Sequence, residues 1–349
     1  MLTQLNAPTT LSEKELDLYL AHGWFRMGQA VFTTNFIKFH GKIYSAIWLR
    51  VVLASYAHSP SILKLYKQNQ RFRTEIKPLG LTQAHEVLFE TYRQSVAFQP
   101  SESIQNLLEN TENDIFTTYE INLYDDTKLI ATGYFDLGET SAEGISCFYD
   151  PAYKKFSLSR YLMYQKIDFC KKNGFDYFYS GYFVPHYKLF DYKLNIANAH
   201  LEFFQLSSDS WQKIEEHSEE KIPFEVMQER LKTLRYDLEA CNVESQLLTY
   251  EFFDVDMIRN FNGQRLFDFP IFLRCFEPAA SVKNNPFVVF DVRDANFHVL
   301  AMQEIYEVTI EINEPNRYSS HLLRISRLLY SSENPADIVQ ALADPFLFV

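Results

Sequence analysis

Residues 145–193 read ISCFYDPAYKKFSLSRYLMYQKIDFCKKNGFDYFYSGYFVPHYKLFDYK, and this stretch decides the fold. An apolar run is followed by an Asp-Pro turn at 150–151, and a helical pattern then extends from Ser157 or Ser159, as N-cap, to a stop at Gly174. A second apolar run follows the glycine. Strand, helix and strand within about 40 residues predict a βαβ-like unit, in which ligands collect at the strand ends.

The same stretch indicates which of its sides are buried. The strand at residues 175–184 has too many aromatic side chains for an exposed position, so we expect it to lie centrally in a sheet. Three strand-like runs between residues 116 and 149 predict an antiparallel meander that leads into it. The buried stripe of the helix is predicted to contain Leu158, Tyr161, Leu162 and Ile167.

Charge is distributed unevenly over the 349 residues. The formal net charge is −12, but residues 1–200 contain 20 Lys and Arg against 20 Asp and Glu, whereas residues 201–349 contain 13 against 25. The front part can therefore present a basic face to nucleic acid, although the chain as a whole is acidic. The length and the 47% apolar content predict two or three domains.

The cysteines and the apolar stretches predict a cellular compartment. The four cysteines are widely spaced and form no CxxC pair, which favours buried, reduced thiols over a disulfide framework or a metal site. The longest apolar stretch, residues 44–57, is broken by Arg50, so we expect neither a signal peptide nor a membrane span. These observations predict a cytoplasmic protein.

A basic segment, SILKLYKQNQRFR, occupies residues 61–73. A helix that buries Leu63 and Tyr66 would place its first three cations on one surface, where they could contact successive phosphates. An ordinary solvated helix face gives the same pattern. The four cations of the segment are Lys64, Lys67, Arg71 and Arg73.

The last third of the chain contains helical and strand-like patterns without a recognised motif. A charged helical pattern extends over residues 217–243, several strand-like runs follow, and HLLRISRLLYSS at residues 321–332 has the pattern of a helix. This acidic α+β region could recognise a protein partner, mimic nucleic acid or cap the preceding domain. Its sequence does not choose among these roles.

The order of segments over residues 11–206 resembles the arginyl-tRNA and leucyl-tRNA protein transferases. LDLYLAHGWFRMGQAVF at residues 16–32 is similar to the opening segment of that family, and Lys64, Lys67 and Asn69 match its basic stretch. The specificity of the resemblance lies in the joint order of the segments. The later ones are GYFD at 133–136, GIS at 144–146, FYDP at 148–151, SLS at 157–159, NGFDYFYSGYFV at 173–184 and the pair Tyr192-Lys193.

The resemblance implies an α/β (α+β) fold with a GNAT-like acyltransferase domain. It implies transfer of an amino acid from aminoacyl-tRNA to the N-terminus of an acceptor protein, without a cofactor, because the ester is already activated. Three parts follow: an N-terminal subdomain for tRNA or acceptor binding at residues 1–110, the GNAT-like domain at 111–212, and the acidic α+β region at 213–349. The expected partners are charged tRNA and an acceptor N-terminus, with no membrane.

Two departures from the family pattern bear on activity. Family members place several cysteines after the GWFR-like segment, but residues 1–146 contain none, so any metal or redox element built there is absent. The arginine-rich exit motif of the family is reduced here, with Lys188 in place of Arg, and Asn195 and Ala197 where further Arg would stand. Fewer fixed charges predict weaker or altered binding of tRNA or of an acceptor carboxylate.

Aminoacyl transfer to an amine requires a neutral nucleophile, a donor to the oxyanion and a proton acceptor. A cation is also needed for an acidic acceptor residue, and an unperturbed lysine is protonated near pH 7. The resemblance assigns the basic segment to tRNA binding. The candidate catalytic residues are Asp150, Gly181 through its backbone N–H, Tyr182 and Tyr192, and the candidate substrate-binding residues are Lys188, Lys193 and Arg26.

The donor amino acid and two other functions stay open at this point. Arginine is favoured over leucine by family analogy, with Asp176 or Asp191 as partner of its guanidinium, whereas leucine would use the many aromatic side chains. One alternative is a non-catalytic GNAT-like module that binds protein or tRNA. The other is an acyl-CoA-dependent N-acyltransferase, which KKFSLSRY at residues 154–161 disfavours because it lacks a glycine-rich turn for the pyrophosphate.

Overall fold

A computed structural model describes residues 2–96, 101–109, 114–261, 263–276, 285–308 and 315–343. The α-helices in these ranges are α1 Glu13–Ala21, α2 Pro60–Asn69, α3 Gln83–Arg93, α4 Ile104–Leu108, α5 Leu158–Lys172, α6 Pro223–Ala240 and α7 Pro335–Ala343. The first strands are β1 Thr3–Asn6, β2 Phe25–Met27, β3 Ala30–Thr34, β4 Phe36–Phe39, β5 Lys42–Ser45, β6 Ile47–Val52, β7 Arg73–Pro78, β8 Thr118–Asp125, β9 Lys128–Leu137 and β10 Ser141–Tyr149. The remaining strands are β11 Tyr177–Phe183, β12 Leu201–Gln205, β13 Ser210–Lys213, β14 Glu244–Tyr250, β15 Ile271–Phe276, β16 Phe287–Asp291, β17 Asn296–Glu307, β18 Arg317–Tyr318 and β19 His321–Ser332.

An eight-stranded sheet forms the centre of the first two thirds of the chain. Its strand order is β13-β12-β6-β11-β10-β9-β8-β7. Strands β8, β9 and β10 form the predicted antiparallel meander, and β10 then pairs with β11 in parallel, the connection between them being α5. This arrangement is the α/β (α+β) GNAT-like architecture expected from the sequence.

Helix α5 and strand β11 follow the sequence pattern closely. The predicted stripe of α5 is buried. The helix ends at Lys172, shortly before Gly174, whose backbone has a positive φ, a conformation that only glycine adopts readily. Strand β11 lies between β6 and β10, as expected for so aromatic a strand. Ser157 stands at the N-cap of α5 in a left-handed conformation, and its hydroxyl makes no capping hydrogen bond, so the predicted serine cap is wrong in its chemistry.

The eight-stranded sheet relates to the predicted division of the chain in two ways. Strands β6 and β7 come from the first 110 residues and pair with strands from later in the chain, so the sheet extends across the predicted boundary at 110/111. Its last strand, β13, ends at Lys213, next to the predicted boundary at 212/213. The division into three functional parts stays a prediction.

The C-terminal region is an α+β unit with its own core. Its six-stranded sheet has the order β18-β14-β15-β16-β17-β19, and α6 buries Met227, Leu231 and Leu234 in the associated core. The prediction of a helix at residues 321–332 is wrong, because this segment is strand β19. Its backbone pairs with β17 from His321 to Ser332, so the sheet satisfies the backbone hydrogen bonds that a helix would have made within the segment.

The start of the chain packs into this C-terminal region. The backbone N–H groups of Leu2 and Thr3 donate to the buried carboxylate of Asp268, and the Thr3 hydroxyl donates to the carbonyl oxygen of Phe253 over 2.8 Å. The β4–β5 hairpin also contacts this region, since the ring of Phe36 packs edge-on against the ring of Phe253. The first and last segments are therefore parts of one packed structure.

The cysteines and the helices test two further expectations. All four cysteines are free, and Cys170 and Cys275 are buried as predicted, but Cys241 is exposed at the end of α6 and Cys147 is partly exposed. Among the described residues, none of the helices is both long enough and apolar enough to cross a membrane.

Candidate active site

A cleft opens where strands β10 and β11 separate. The two strands pair only from Ser141 with Tyr177 to Glu143 with Tyr179, and then diverge. Bulges accompany the divergence, one after Gly144 in β10 and one before Gly181 in β11. On its other side β10 pairs with β9, and β11 pairs with β6. Beyond Glu143 and Tyr179, the inner-edge backbone groups, those that face the opposite strand of the cleft, therefore have no strand partner among the described residues. The cleft between them has a volume of about 800 Å³.

Gly181 and Lys193 meet in this cleft. Gly181 has φ +82°, and a Cβ atom at this position would lie 2.9 Å from the Lys193 ammonium nitrogen. That nitrogen also lies 5.4 Å from the ring centroid of Tyr182 and 5.7 Å from that of Phe190. The missing side chain of Gly181 thus makes room for the lysine, a role that the backbone-donor prediction did not include.

Lys193 is an isolated cation. Burial lowers its pKa to about 8, so the prediction of an unperturbed lysine is wrong. No carboxylate among the described residues forms an ion pair with it. Below pH 8 the cleft therefore contains a positive charge among aromatic rings, without a counterion from the described part of the chain. Such a group can form a charge-assisted hydrogen bond with a carboxylate.

Glu143 is a second ionisable group in the cleft, and the sequence did not identify it. It is the last residue of β10 that pairs with β11, and its carboxylate accepts from the backbone N–H of Arg26 at 3.1 Å. Burial, together with the nearby Asp136, raises its pKa to about 8. This value is close to that of a protein α-amine, about 7.7–8.0, which suits proton exchange with such an amine.

Arg26 lines the cleft, but its guanidinium is used within the protein. It forms a buried ion pair with Asp136 over 2.9 Å and donates to the carbonyl oxygens of Gly28 and Leu108, each over 2.7 Å. A guanidinium with these partners positions the β2 backbone against Glu143 and is not free for a substrate. The predicted substrate-binding role of Arg26 is therefore replaced by a positioning role.

Aromatic rings form the wall of the cleft between Glu143 and Lys193. Phe25 stacks on Trp48, Trp48 meets Tyr182 edge-on at 5.0 Å, and Tyr182 stacks on Phe190 at 5.5 Å. Ser180 also lines the cleft, and its buried hydroxyl has no hydrogen-bond partner among the described residues. This wall offers an apolar surface with a small number of polar groups, as small-molecule sites usually do.

The two predicted tyrosines both line the cleft. Burial raises the pKa of Tyr182, and it raises the pKa of Tyr192 to about 12. Both phenols are consequently neutral near pH 7 and can donate a hydrogen bond. The structure brings Gly181, Tyr182, Tyr192 and Lys193 together at this cleft, because they lie in β11 and in the segment that directly follows it.

Asp150 lies outside the cleft, contrary to its predicted place. Its carboxylate accepts from the backbone N–H of Ala152 at 2.9 Å and from Lys128 at 2.7 Å. It thereby caps the 3₁₀ helix that follows, Pro151–Phe156. The Asp-Pro turn explains this residue, and the structure gives it no contact with the cleft.

Three other charged candidates are also outside. Lys188 is exposed and does not line the cleft. Asp176 and Asp191, assigned to the guanidinium of an arginine donor, are exposed and do not line it either. Lys193 is therefore the remaining predicted lysine that can bind substrate there.

The basic segment is only partly helical. Helix α2 buries Ile62 and Leu65, whereas Leu63, predicted to be inward, is 56% exposed. Lys64 and Lys67 are exposed on α2, as expected. The helix ends at Asn69, so Arg71 lies beyond the helix and not on it as predicted.

The two arginines beyond α2 have partners of their own. Arg71 donates to Asp125 over 3.4 Å, and Arg73 lies in β7, above the ring of Tyr124 and 3.9 Å from Glu75. The surface that α2 offers to phosphates thus consists of Lys64 and Lys67.

Lys166 is a buried cation that the sequence did not mark. It lies on α5, and its ammonium group donates to the carbonyl oxygens of Tyr134 and Ser146 over 2.7 and 2.9 Å. These bonds hold the helix against the bulged part of β10, at the floor of the cleft.

The sequence contains a weak indication of a functional role for Glu143. It is the charged residue directly before the glycine of an otherwise uncharged strand.

One group of side chains in the described residues has the composition of a metal site. Asp291, Asp294 and His298 have ligand atoms within 4.8 Å of one another, in the β16–β17 hairpin. The Asp291 carboxylate already forms a two-oxygen ion pair with Arg293. Arg293 therefore already supplies a positive charge to one of the three potential ligands.

Comparisons with known proteins find similarity over a part of the chain that includes strands β10 and β11 of the cleft. Residues 84–202 match the family model described as the C terminus of arginine-tRNA-protein transferase. An aspartate/glutamate leucyltransferase of Campylobacter jejuni is 26% identical over 180 residues, which are 50% of this chain and 74% of the relative. One of Leptospira interrogans is 27% identical over 192 residues, with 53% and 73% covered. The family resemblance inferred from the order of segments is confirmed.

Solved structures show more distant likeness. FemX aligns with a TM-score of 0.35 and 9% identity, over 55% of this chain and 68% of its own. The ribosomal-protein-S18-alanine N-acetyltransferase of Escherichia coli aligns with a TM-score of 0.24 and 22% identity, over 29% of this chain and 62% of its own. A lysylphosphatidylglycerol synthetase domain of Agrobacterium fabrum aligns with a TM-score of 0.29 over 46% of its chain.

Proposed function

We propose that this chain transfers an amino acid, leucine in preference to arginine, from a charged tRNA to the N-terminal α-amine of acceptor proteins that begin with Asp or Glu. The observation that carries the proposal is the joint presence, in one aromatic cleft, of an unpaired lysine and a carboxyl group of raised pKa. The family match and the names of the relatives support the same reaction.

The reaction requires one bond exchange. The α-amine nitrogen attacks the ester carbonyl carbon, a C–N bond forms, and the C–O bond to the terminal ribose breaks. Glu143, in its ionised form, accepts the proton that the amine loses, and the resulting carboxyl group then donates this proton to the ribose oxygen that leaves. The oxyanion forms between the separated strands, where inner-edge backbone N–H groups and the neutral phenol of Tyr182 are available as donors.

The acceptor is selected by charge in this proposal. An N-terminal Asp or Glu carries a carboxylate close to its α-amine, and Lys193 offers the matching cation. Placing that carboxylate on Lys193 brings the α-amine into the cleft that contains Glu143. Orienting the two reactants in this way is itself a large part of the rate enhancement of such a transfer.

Leucine is the preferred donor because of the cleft lining. Phe25, Trp48 and Tyr182 offer apolar surface for a branched aliphatic side chain. An arginine donor, which family analogy favours, would need an acidic partner for its guanidinium. Glu109 and Glu143 are the acidic side chains among the described lining residues, and this proposal already uses Glu143 as the base. Arginine is therefore the second candidate, and the assay must include both donors.

The deciding assay uses the purified full chain with labelled Leu-tRNA or Arg-tRNA and peptides that begin with Asp, Glu, Lys or Arg. We expect leucine on the Asp and Glu peptides and none on the Lys and Arg peptides. If neither donor modifies any peptide while tRNA still binds, the non-catalytic binding module replaces the enzyme. A rise in melting temperature with acetyl-CoA, together with acetylated peptide, would favour the acyl-CoA enzyme instead.

The surface of α2 provides a prediction about tRNA. The double substitution Lys64→Glu, Lys67→Glu should weaken tRNA binding and flatten its dependence on salt, since each lost phosphate contact lowers the slope of log K against log salt by about 0.9 on duplex nucleic acid. The measurement is a series of titrations at several salt concentrations. Lys213→Glu with Lys232→Glu makes the same change in net charge elsewhere and should leave the slope unchanged. Equal effects of the two double variants would eliminate α2 as the tRNA surface.

A further inference from the structure

The C-terminal region contains a second cavity, separate from the cleft. It has a volume of about 460 Å³ and is lined by residues of β15, β16, β17 and β19, together with Asn285. Polar side chains dominate its lining, among them Arg274, Gln303, Glu304 and Ser326. Its size suits a ligand of a few to about ten heavy atoms together with water.

Arg274 is a cation without a partner in this cavity. Its Nε atom is buried and makes no hydrogen bond with the described residues. Its guanidinium carbon lies 5.7 Å from the ring centroid of Phe276 and 6.0 Å from that of Tyr318, so aromatic faces hold it in place. No carboxylate in the described part of the chain forms an ion pair with it. A buried donor left unsatisfied is unfavourable, and a planar guanidinium fits a carboxylate through two parallel hydrogen bonds.

Glu304 supplies the opposite charge, at the hydroxyl group of Tyr318. One of its oxygens accepts from the Tyr318 hydroxyl over 2.9 Å, and the other lies 3.7 Å from His321 Nε2. Its side chain is 48% exposed, so ligand can reach it. Arg274 and Glu304 both approach Tyr318 but form no ion pair with each other, which leaves two opposite charges separated within one cavity.

We propose that this cavity binds a free α-amino acid, with the carboxylate on Arg274 and the ammonium group on Glu304. Two separated opposite charges favour a zwitterion over a simple anion, which Glu304 repels, and over a simple cation, which Arg274 repels. Gln303 and Ser326 offer further hydrogen bonds to the ligand. The inference does not depend on the transfer reaction, because it uses no residue of the cleft.

Calorimetric titration of the full chain tests the proposal with three probes: leucine, N-acetylleucine, which lacks the ammonium group, and leucinamide, which lacks the carboxylate. We expect leucine to bind about tenfold or more tightly than either derivative, since each lost charge–charge contact contributes on this scale. Arg274→Gln should lower leucine affinity by a similar factor. Arg235→Gln, at an exposed position of α6 where the arginine pairs with Glu239, is the matched control and should leave it unchanged.

Glu304→Gln gives a second test that does not depend on a buried side chain. It should weaken leucine binding but not N-acetylleucine binding, because only leucine presents an ammonium group and the repulsion of the anionic derivative by Glu304 is removed. Circular dichroism of each variant establishes that it is folded, and if Arg274→Gln unfolds, the Glu304→Gln comparison decides. The proposal is overturned if leucine shows no saturable binding up to about 10 mM, if both derivatives bind as well as leucine, or if the folded Arg274 and Glu304 variants bind like the unsubstituted protein.

Discussion

Glu143→Gln is expected to lower kcat for aminoacyl transfer by about 100-fold or more, because a positioned general base contributes about 10²–10⁴-fold to such reactions. Glutamine keeps the shape of the side chain, and its amide oxygen can still accept from the Arg26 N–H. The cleft should therefore retain its geometry and its affinity for substrates, so KM should change little. The measurement is single-turnover transfer from Leu-tRNA to a peptide that begins with Asp.

The pH dependence provides a readout that a merely structural role would not give. Glu143 must lose its proton near pH 8, and the acceptor α-amine loses its own at about 7.7–8.0, so log kcat/KM should rise with a slope of about 2 on the acid side. In the glutamine variant this slope should fall to about 1. Glu202→Gln changes a carboxylate of β12 that pairs with Arg50 outside the cleft, and serves as the control. A loss of less than about threefold with an unchanged slope would exclude Glu143 as the base.

Lys193→Met is expected to lower kcat/KM for peptides that begin with Asp or Glu by about 10–100-fold, mainly through KM. A hydrogen bond to a charged group contributes about 1.5–3 kcal/mol, and about 1.4 kcal/mol corresponds to a factor of ten. Methionine keeps the apolar stem of the lysine over Tyr182 and Phe190. Because the lowered pKa of Lys193 is about 8, its charge is present below that pH and is lost above it, so the affinity of the unsubstituted protein for these acceptors should fall above pH 8.

The alkaline fall in affinity should be absent from the Lys193→Met variant. Lys172→Met removes an exposed lysine at the end of α5 and should change neither acceptor affinity nor its pH dependence. Thermal unfolding of the three proteins separates binding from stability. If Lys193→Met lowers transfer while the KM for acidic acceptors and its pH dependence stay the same, Lys193 does not bind the acceptor carboxylate.

The sequence predicted those parts of the site that are close together in the chain. Residues 145–193 contain α5, β11 and the segment with Tyr192 and Lys193, and local signals such as Gly174 define each boundary. Glu143 was missed because its environment comes from distant residues: the N–H of Arg26 and the carboxylate of Asp136 meet it only through the order of the sheet. The lowered pKa of Lys193 arises in the same way, from burial among side chains of several elements.

Errors in the prediction have an identifiable physical origin. Asp150 was assigned to the cleft because of its place in the chain, but it is used as a cap at the turn that its neighbour Pro151 begins. Residues 321–332 have an apolar pattern that suits a helix as well as a strand, and the pairing of β19 with β17 decides for the strand. The first outcome follows from local turn chemistry, whereas the second depends on a strand partner that the local pattern does not reveal.

The hydrogen bonds from Leu2 and Thr3 to Asp268 have a consequence for synthesis on the ribosome. Strand β1 is made before the other described strands, but the carboxylate that accepts from its Thr3 N–H lies 265 residues later in the chain. At about 5–20 residues per second, Asp268 is added roughly 10–50 s after β1. During that interval the first strand can pair with β3 but cannot complete its contacts, so the final order of assembly is set by the last third of the chain.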